Sequence, residues 1–286
     1  GLEDDWADWD IPTSGNEHDD DTNGCEDDWK GWGEMYDENH YPPFFLGNDV
    51  RNYSYDWLKK NYPGDPESAE KQWLHGTFIA GIIAAKTNND GEGISGIAGG
   101  WNNQGTSLLL FKAGVSNLDG SYANRILYAI DYVTSHLPDE KKARIIEMAF
   151  TTYDYSDHIK KAIDTAYQDH DVFFVAAAGI HLSGSSPEVG FPANHPYVFA
   201  VGATDTDDIR IASSNYGPEL DLGAPGEEIF GIVPTDGHDD DGYQTINGST
   251  SAASAMVAGT AALVLAVNPN LHNFEIAEIL EESADK

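Results

Sequence analysis

The chain has 286 residues, 40% of them hydrophobic, with 49 Asp and Glu against 15 Lys and Arg and a formal net charge of −34. That length can bury one large core or two small ones. So acidic a surface repels phosphate backbones and anionic bilayers, which argues against nucleic-acid and membrane partners; it suits cations, basic peptides or high salt.

Cys25 is the one cysteine, so no disulfide can form within the chain. The longest apolar run, Ala255 to Val267, is too short to span a bilayer. No charged-then-apolar leader opens the sequence, and any secretion signal is expected upstream or already removed. The sequons at Asn52 and Asn247 are of a kind that arises often by chance.

Residues 1–72 cluster Asp, Glu, Trp, Tyr, Gly and Pro without the apolar alternation of a central strand. From about Trp73 the pattern changes. Phe78, Ile79, Ile82 and Ile83 fall at helical spacing, and Thr106 to Ala113 reads as a buried strand followed by a helix near Tyr122 to His136. Arg144 to Phe150 is the next strand and Ser156 to His170 the next helix. Val172 to Ala178 and Val198 to Ala203 are further apolar strands. Ser251 to Val267 is a helix of small apolar residues, and Asn273 to Ala284 an amphipathic one. Strands separated by helices of this length predict an α/β fold with a mostly parallel sheet covered on both faces. Residues 73–286 contain no linker that would split them, so one domain is expected there behind an acidic N-terminal section.

Three segments carry candidate chemistry. His75-Gly-Thr-Phe-Ile-Ala-Gly81 opens a helix with a histidine, and its small residues let that helix pack closely. Gly248-Ser-Thr-Ser-Ala-Ala-Ser-Ala-Met-Val-Ala-Gly259 sets a serine at the start of a buried helix, where free N–H groups suit a developing oxyanion. Between them, Val175-Ala-Ala-Ala-Gly179 ends a buried strand, where ligand-facing loops of parallel sheets are expected. Taken alone, the first reads rather as a helix that merely starts with a polar residue, and the second can also be read as a small-residue helix packed against a sheet.

In this order the three segments resemble the subtilisin-like serine-peptidase family, whose motifs read H-G-T-H-V-A-G, A-A-A-G-N and G-T-S-M-A-S-P. The likeness continues through Phe191-Pro-Ala193, Tyr197-Val-Phe-Ala-Val-Gly202 and Gly217-Pro-Glu-Leu-Asp-Leu-Gly-Ala-Pro-Gly226, covering most of residues 73–286. The resemblance implies a three-layer α/β fold around a mostly parallel sheet, an extracellular or secreted protein, and a peptide or protein substrate or ligand. Carried over by position, His75 is the general base and Ser251 the nucleophile of acyl transfer.

The departures are as informative. The family's oxyanion asparagine falls on Ile180, which has no side-chain donor. Losing such a donor costs roughly 3 kcal/mol, a hundredfold or more in rate. Ser249 replaces the glycine of the serine motif and Ala255 its proline, and the substrate-pairing S-L-G strand reads Ala149-Phe150-Thr151. The triad aspartate has no V-I-D-T-G-like strand upstream of His75; Asp10 and Asp49 are weak candidates. Asp19-Asp-Asp-Thr-Asn-Gly-Cys-Glu-Asp-Asp-Trp-Lys-Gly-Trp32 resembles an insert that follows the aspartate strand in some relatives, so that strand is expected before Gly1, on an upstream segment or another piece of a larger assembly.

The same insert fits a cation. Asp19, Asp21, Asn23, the Cys25 carbonyl and Asp27 form a D-x-D-x-N-G-x-x-D loop whose oxygen donors can converge on calcium, with Gly24 at the turn. Lys30 at the twelfth position excludes an EF-hand, and a solvated acidic loop is the alternative. Asp239-Asp-Asp241 lacks such spacing. Two functions follow: a degenerate peptidase used for binding or structure, favoured by Ile180, Thr151 and Ser249, and a working calcium-dependent endopeptidase with its aspartate outside this chain, favoured by His75 and Ser251.

Overall fold

The computed structural model describes residues 33–34, 46–47, 66–87, 93–101, 105–111, 121–139, 142–152, 156–181, 186–234 and 242–285. Contacts divide the chain into two units, Gly1–Arg51 with Leu109–Ala143, and Asn52–Leu108 with Arg144–Lys286. In the first, β1 (Gly33–Glu34) pairs antiparallel with β2 (Leu46–Gly47). Helix α2 (Ser121–Asp131) runs on into a π-helical turn, Tyr132–His136, where buried Tyr132 stacks on Tyr128 and meets Phe111 edge-on.

The second unit holds His75, Ile180 and Ser251. Its core is a parallel four-stranded sheet in the order β3 (Ile145–Met148), β4 (Phe173–Ala177), β5 (Val198–Thr204) and β6 (Leu222–Pro225). Alternation fixes the faces. Phe173 and Val175 of β4 and Phe199, Val201 and Ala203 of β5 join one buried cluster with Ala253, Val257, Ala258 and Ala261 of α4 (Thr250–Val267) and Ile276 and Leu280 of α5 (Asn273–Ser283). Phe174 and Ala176, of opposite parity, are fully buried as well, and α3 (Asp157–His170) packs on β4. Both faces are covered, which is why these strands read as continuous apolar runs.

Local chemistry sets the helix ends. Ser156 caps α3 by accepting the Ile159 N–H, and Asp171, in the left-handed region at φ 57°, ends it. Asp171 then gathers three partners: Arg144 Nη2 at 3.1 Å, the His272 ring at 3.2 Å and the Asn273 N–H at 2.9 Å. Arg144 also donates to the carbonyls of Pro269 and Leu271, so the start of β3 is tied to the start of α5. Helix α1 (Pro66–Ala84) packs on α4 and on β7 (Ile229–Ile232), which pairs antiparallel with β8 (Tyr243–Ile246). The close approach at β7 requires Gly81, where a Cβ would lie 2.5 Å from Ile232 Cγ1.

Two expectations need correction. The strand expected over 106–113 is not seen among its described residues: 106–110 have no strand pairing and Phe111 makes a single bridge, while 112 and 113 lie outside the described residues. Leu108 and Leu110 are exposed, and an apolar run specifies no sheet position unless a described strand lies beside it. The fourth parallel strand is instead β6, whose Leu-Gly-Ala-Pro lacks a strand-like apolar run.

Candidate active site

Helix α4 begins at the carboxyl ends of the strands. Ser249 is extended (φ −113°, ψ 105°), and its Oγ accepts the Ala252 N–H at 3.0 Å. The residue standing where the family has glycine is thus the helix N-cap. Its carbonyl takes the Ala253 N–H, leaving the N–H groups of Thr250 and Ser251 without an intrahelical acceptor. Those groups and the helix terminus make the start of α4 electropositive, where an oxyanion would be stabilised.

Ser251 is half-buried, and its Oγ donates to the carbonyl of Ala149, just past β3, at 3.1 Å. His75 lies on α1, the helix packed against α4, and burial holds its imidazole below the usual histidine range, so it is neutral at pH 7. The helices of the two expected triad members therefore meet, but no hydrogen bond among the described residues joins the His75 ring to Ser251 or to a carboxylate. Asp10 and Asp49 lie outside the described residues. So does the loop of Asp19, Asp21, Asn23, Cys25 and Asp27, and among the described residues no cluster of three His, Cys, Asp or Glu could hold a metal.

The loop after β4 is hung on Asn215, which is fully buried. Its Nδ2 donates to the Ala178 carbonyl at 3.1 Å, its backbone N–H donates to the Gly179 carbonyl at 3.0 Å, and its Oδ1 lies 3.2 Å from His181 Nδ1. Gly179 sits at φ +93°, a conformation open to glycine, and a Cβ there would meet Asn215 Nδ2 at 2.8 Å and Thr151 Cγ2 at 2.9 Å. Thr151 thus fills the space beside Gly179, and its Oγ1 donates to the Ala177 carbonyl at 3.1 Å. Ile180 bridges antiparallel to Ser214 and leaves its side chain 50% exposed. An apolar group open to solvent thus stands where the family's motif has its asparagine. Phe150 connects Ala149 and Thr151, and Thr152 bridges to Phe191 at the cis Phe191–Pro192 bond.

Asn215 and Glu147 were not singled out by the sequence reading. Asn215 carried no pattern signal. Glu147 did: it is the acidic residue inside the apolar run Arg144 to Phe150, on the side of β3 that faces α4. Glu147 is half-buried, its carboxyl accepts from Ser254 Oγ at 2.7 Å, and desolvation pushes it up to about 7.

A parallel α/β sheet with a capped helix presenting a serine at its carboxyl edge defines a serine-hydrolase scaffold. The Subtilase family (peptidase S8) matches residues 18–286, and the chain belongs to that family. It is 34% identical over 210 residues to subtilisin DY of Bacillus licheniformis, covering 73% of this chain and 70% of that protein. It is 34% identical over 235 residues to a thermophilic serine proteinase of Bacillus sp. (strain AK1), covering 81% of this chain and 51% of that one. Against several other subtilisins, such as subtilisin E of Bacillus subtilis, the chain spans about half the relative's length (50%). Among solved structures, a protease from Pseudoalteromonas arctica superposes with a TM-score of 0.61 at 26% identity, covering 74% of this chain and 64% of that one. Sphericase gives 0.59 at 26% identity, covering 74% and 69%.

Proposed function

We propose that this subtilisin-like serine-peptidase domain binds peptide against Ala149–Thr151 but turns it over weakly or not at all, acting as a binding or structural module. The observation that carries this reading is Ile180, which puts an exposed aliphatic side chain where the family supplies an oxyanion donor. Acyl transfer places charge on the carbonyl oxygen, and one missing donor costs about a hundredfold or more. Thr151, packed against Gly179, further narrows the cleft. A secreted protein with a structural calcium in the loop of Asp19, Asp21, Asn23, Cys25 and Asp27 completes the proposal.

A second reading, a working endopeptidase, draws on the neutral His75 and on the free N–H groups at the start of α4. Steady-state assays with unstructured peptides, alongside peptide binding to the Ser251→Ala protein, separate the two. The first reading expects binding without measurable turnover, and brisk cleavage abolished by Ser251→Ala would overturn it. For the calcium loop, chelator is expected to lower the melting temperature, because a ligand bound only to the folded state stabilises it; an unchanged melt would leave a merely acidic loop.

A further inference from the structure

Glu147 stands where the strand pattern calls for an apolar residue. Ile145, two positions earlier on the same face, packs into the cluster beneath α4, whereas Glu147 presents a carboxyl to that helix. Its partner Ser254 has one hydroxyl hydrogen and two acceptors within reach, Glu147 Oε1 at 2.7 Å and the Ser251 carbonyl at 3.0 Å. An ionised carboxylate can only accept, so it takes that hydrogen and the Ser251 carbonyl loses it. A protonated carboxyl donates its own O–H to Ser254 Oγ, and the serine hydrogen turns to the Ser251 carbonyl, so both contacts are hydrogen bonds at once.

The other end of the same residue pair is also connected. The Ala149 carbonyl, two residues after Glu147, accepts from Ser251 Oγ. The Glu147 carboxyl, Ser254, the Ser251 carbonyl, the Ser251 hydroxyl and the Ala149 carbonyl therefore form a chain from β3 to the first turn of α4 and back. We propose that Glu147 is a positioning residue for Ser251, completing this chain when it holds a proton and opening it at the Ser251 carbonyl when it does not. Its bearing on chemistry rests on the reading of Ser251 as nucleophile; the coupling itself does not.

The surroundings suit a proton switch. Among the described elements, β4 and α4 pack most closely on β3, and neither has a titratable side chain. Helix α1, packed on α4, brings His75, which burial keeps neutral. With no described cation to hold the carboxylate charged, desolvation pushes Glu147 up to about 7, against the opposing hydrogen bond from Ser254.

The test is a carbon-13 titration of the Glu147 carboxyl and the Ser251 backbone carbonyl between about pH 5 and 8, in the parent, Glu147→Gln and Ser254→Ala proteins. In the parent, both signals are expected to move together with one midpoint near neutrality. Glu147→Gln should freeze the Ser251 carbonyl signal across that range, while in Ser254→Ala Glu147 still titrates and Ser251 no longer follows. A Ser251 signal that stays still while Glu147 titrates in the parent overturns the proposal, as does a Glu147 midpoint in the ordinary carboxylate range. If Glu147→Gln does not fold, the parent and Ser254→Ala decide the matter. Unfolding gives an independent readout. An acid whose folded pKa is raised binds more protons folded than unfolded, so stability falls as pH rises toward that pKa. The parent's folding constant should drop by roughly two orders of magnitude across this window, and that of Glu147→Gln should not. None of these measurements needs turnover, so a silent enzyme leaves them intact and their failure leaves the proposed function standing.

Discussion

The turn that carries Ser251 follows β8 of the two-stranded sheet and the loop that carries Ile180 follows β4 of the parallel sheet, and both are held by hydrogen bonds to neighbouring backbone. At the Ser251 turn the bonds converge on the reactive group: Ser249 caps the helix, and Ser254 and Ala149 reach the carbonyl and hydroxyl of Ser251 itself. At the Ile180 loop they converge, through Asn215, on the carbonyls of Ala178 and Gly179 and on the His181 ring, and the exposed Ile180 side chain has no donor. The comparison teaches that the loop's shape and its chemistry are specified by different residues. Asn215 and Gly179 preserve the first, and one position decides the second.

The largest expected effect tests that separation directly. Ile180→Asn should raise kcat on a peptide substrate by about two orders of magnitude in any form of the protein where His75 has its carboxylate, since the framework for the donor is already built. Measured single-turnover rates that stay unchanged in such a form would mean the loop's shape, too, has been lost. Next in size is Asn215→Leu, which leaves the Ala178 carbonyl without its side-chain donor in a fully buried site. A loss of about 1–3 kcal/mol is expected, a melting temperature lower by several degrees, with Ser251 reactivity toward a fluorophosphonate little changed. Equal loss of reactivity and stability would join the two regions that the comparison holds apart.

On the Ser251 side, Ser249→Ala should cost about 1 kcal/mol through loss of the cap and Ser249→Gly only a few tenths, read by denaturant midpoints. If the glycine protein is the more stable, the serine cap is not what orders the turn. The smallest effect belongs to His75. Its folded pKa lies below the 6.5 of a free imidazole, so the unfolded chain binds more protons in between, and this group's contribution is full above about pH 6.5 and is lost as pH falls. Comparison with His75→Gln isolates it, and the sign is opposite to that of Glu147, so the two variants should tilt the stability profile in opposite directions.

Much of the second unit was legible in the sequence because its signals are local or one-dimensional. The apolar runs of β4 and β5 are long and buried on both faces, and α3 declares itself through Ser156 and its amphipathic stripe. What failed depends on neighbours. Residues 106–110 look like β3 in composition yet form no strand among the described residues, and β6, with two small residues and a proline, gains its place only by lying beside β5. In the candidate site, ordered motifs led to His75, Ser251 and Ile180. Asn215 escaped because a buried asparagine bonding to carbonyls 36 or more residues upstream has no periodic or spacing signature. Glu147 was visible as one charge in an apolar strand, but only the position of Ser254 gives that charge a meaning.

Helix α4 is uncharged along all 18 of its residues and apolar enough in composition to pass for a membrane span, though half of it is buried inside the fold. A segment of that kind has no amphipathic surface on which to rest in water and no independent existence once lifted from the sheet. The amides of its buried half should therefore exchange with deuterium only when the whole second unit opens, at the global rather than a local free energy. The serine at its head would then have no partly unfolded state in which it stays ordered while the sheet loosens, so its reactivity toward a covalent probe should vanish in the same cooperative step as the fold.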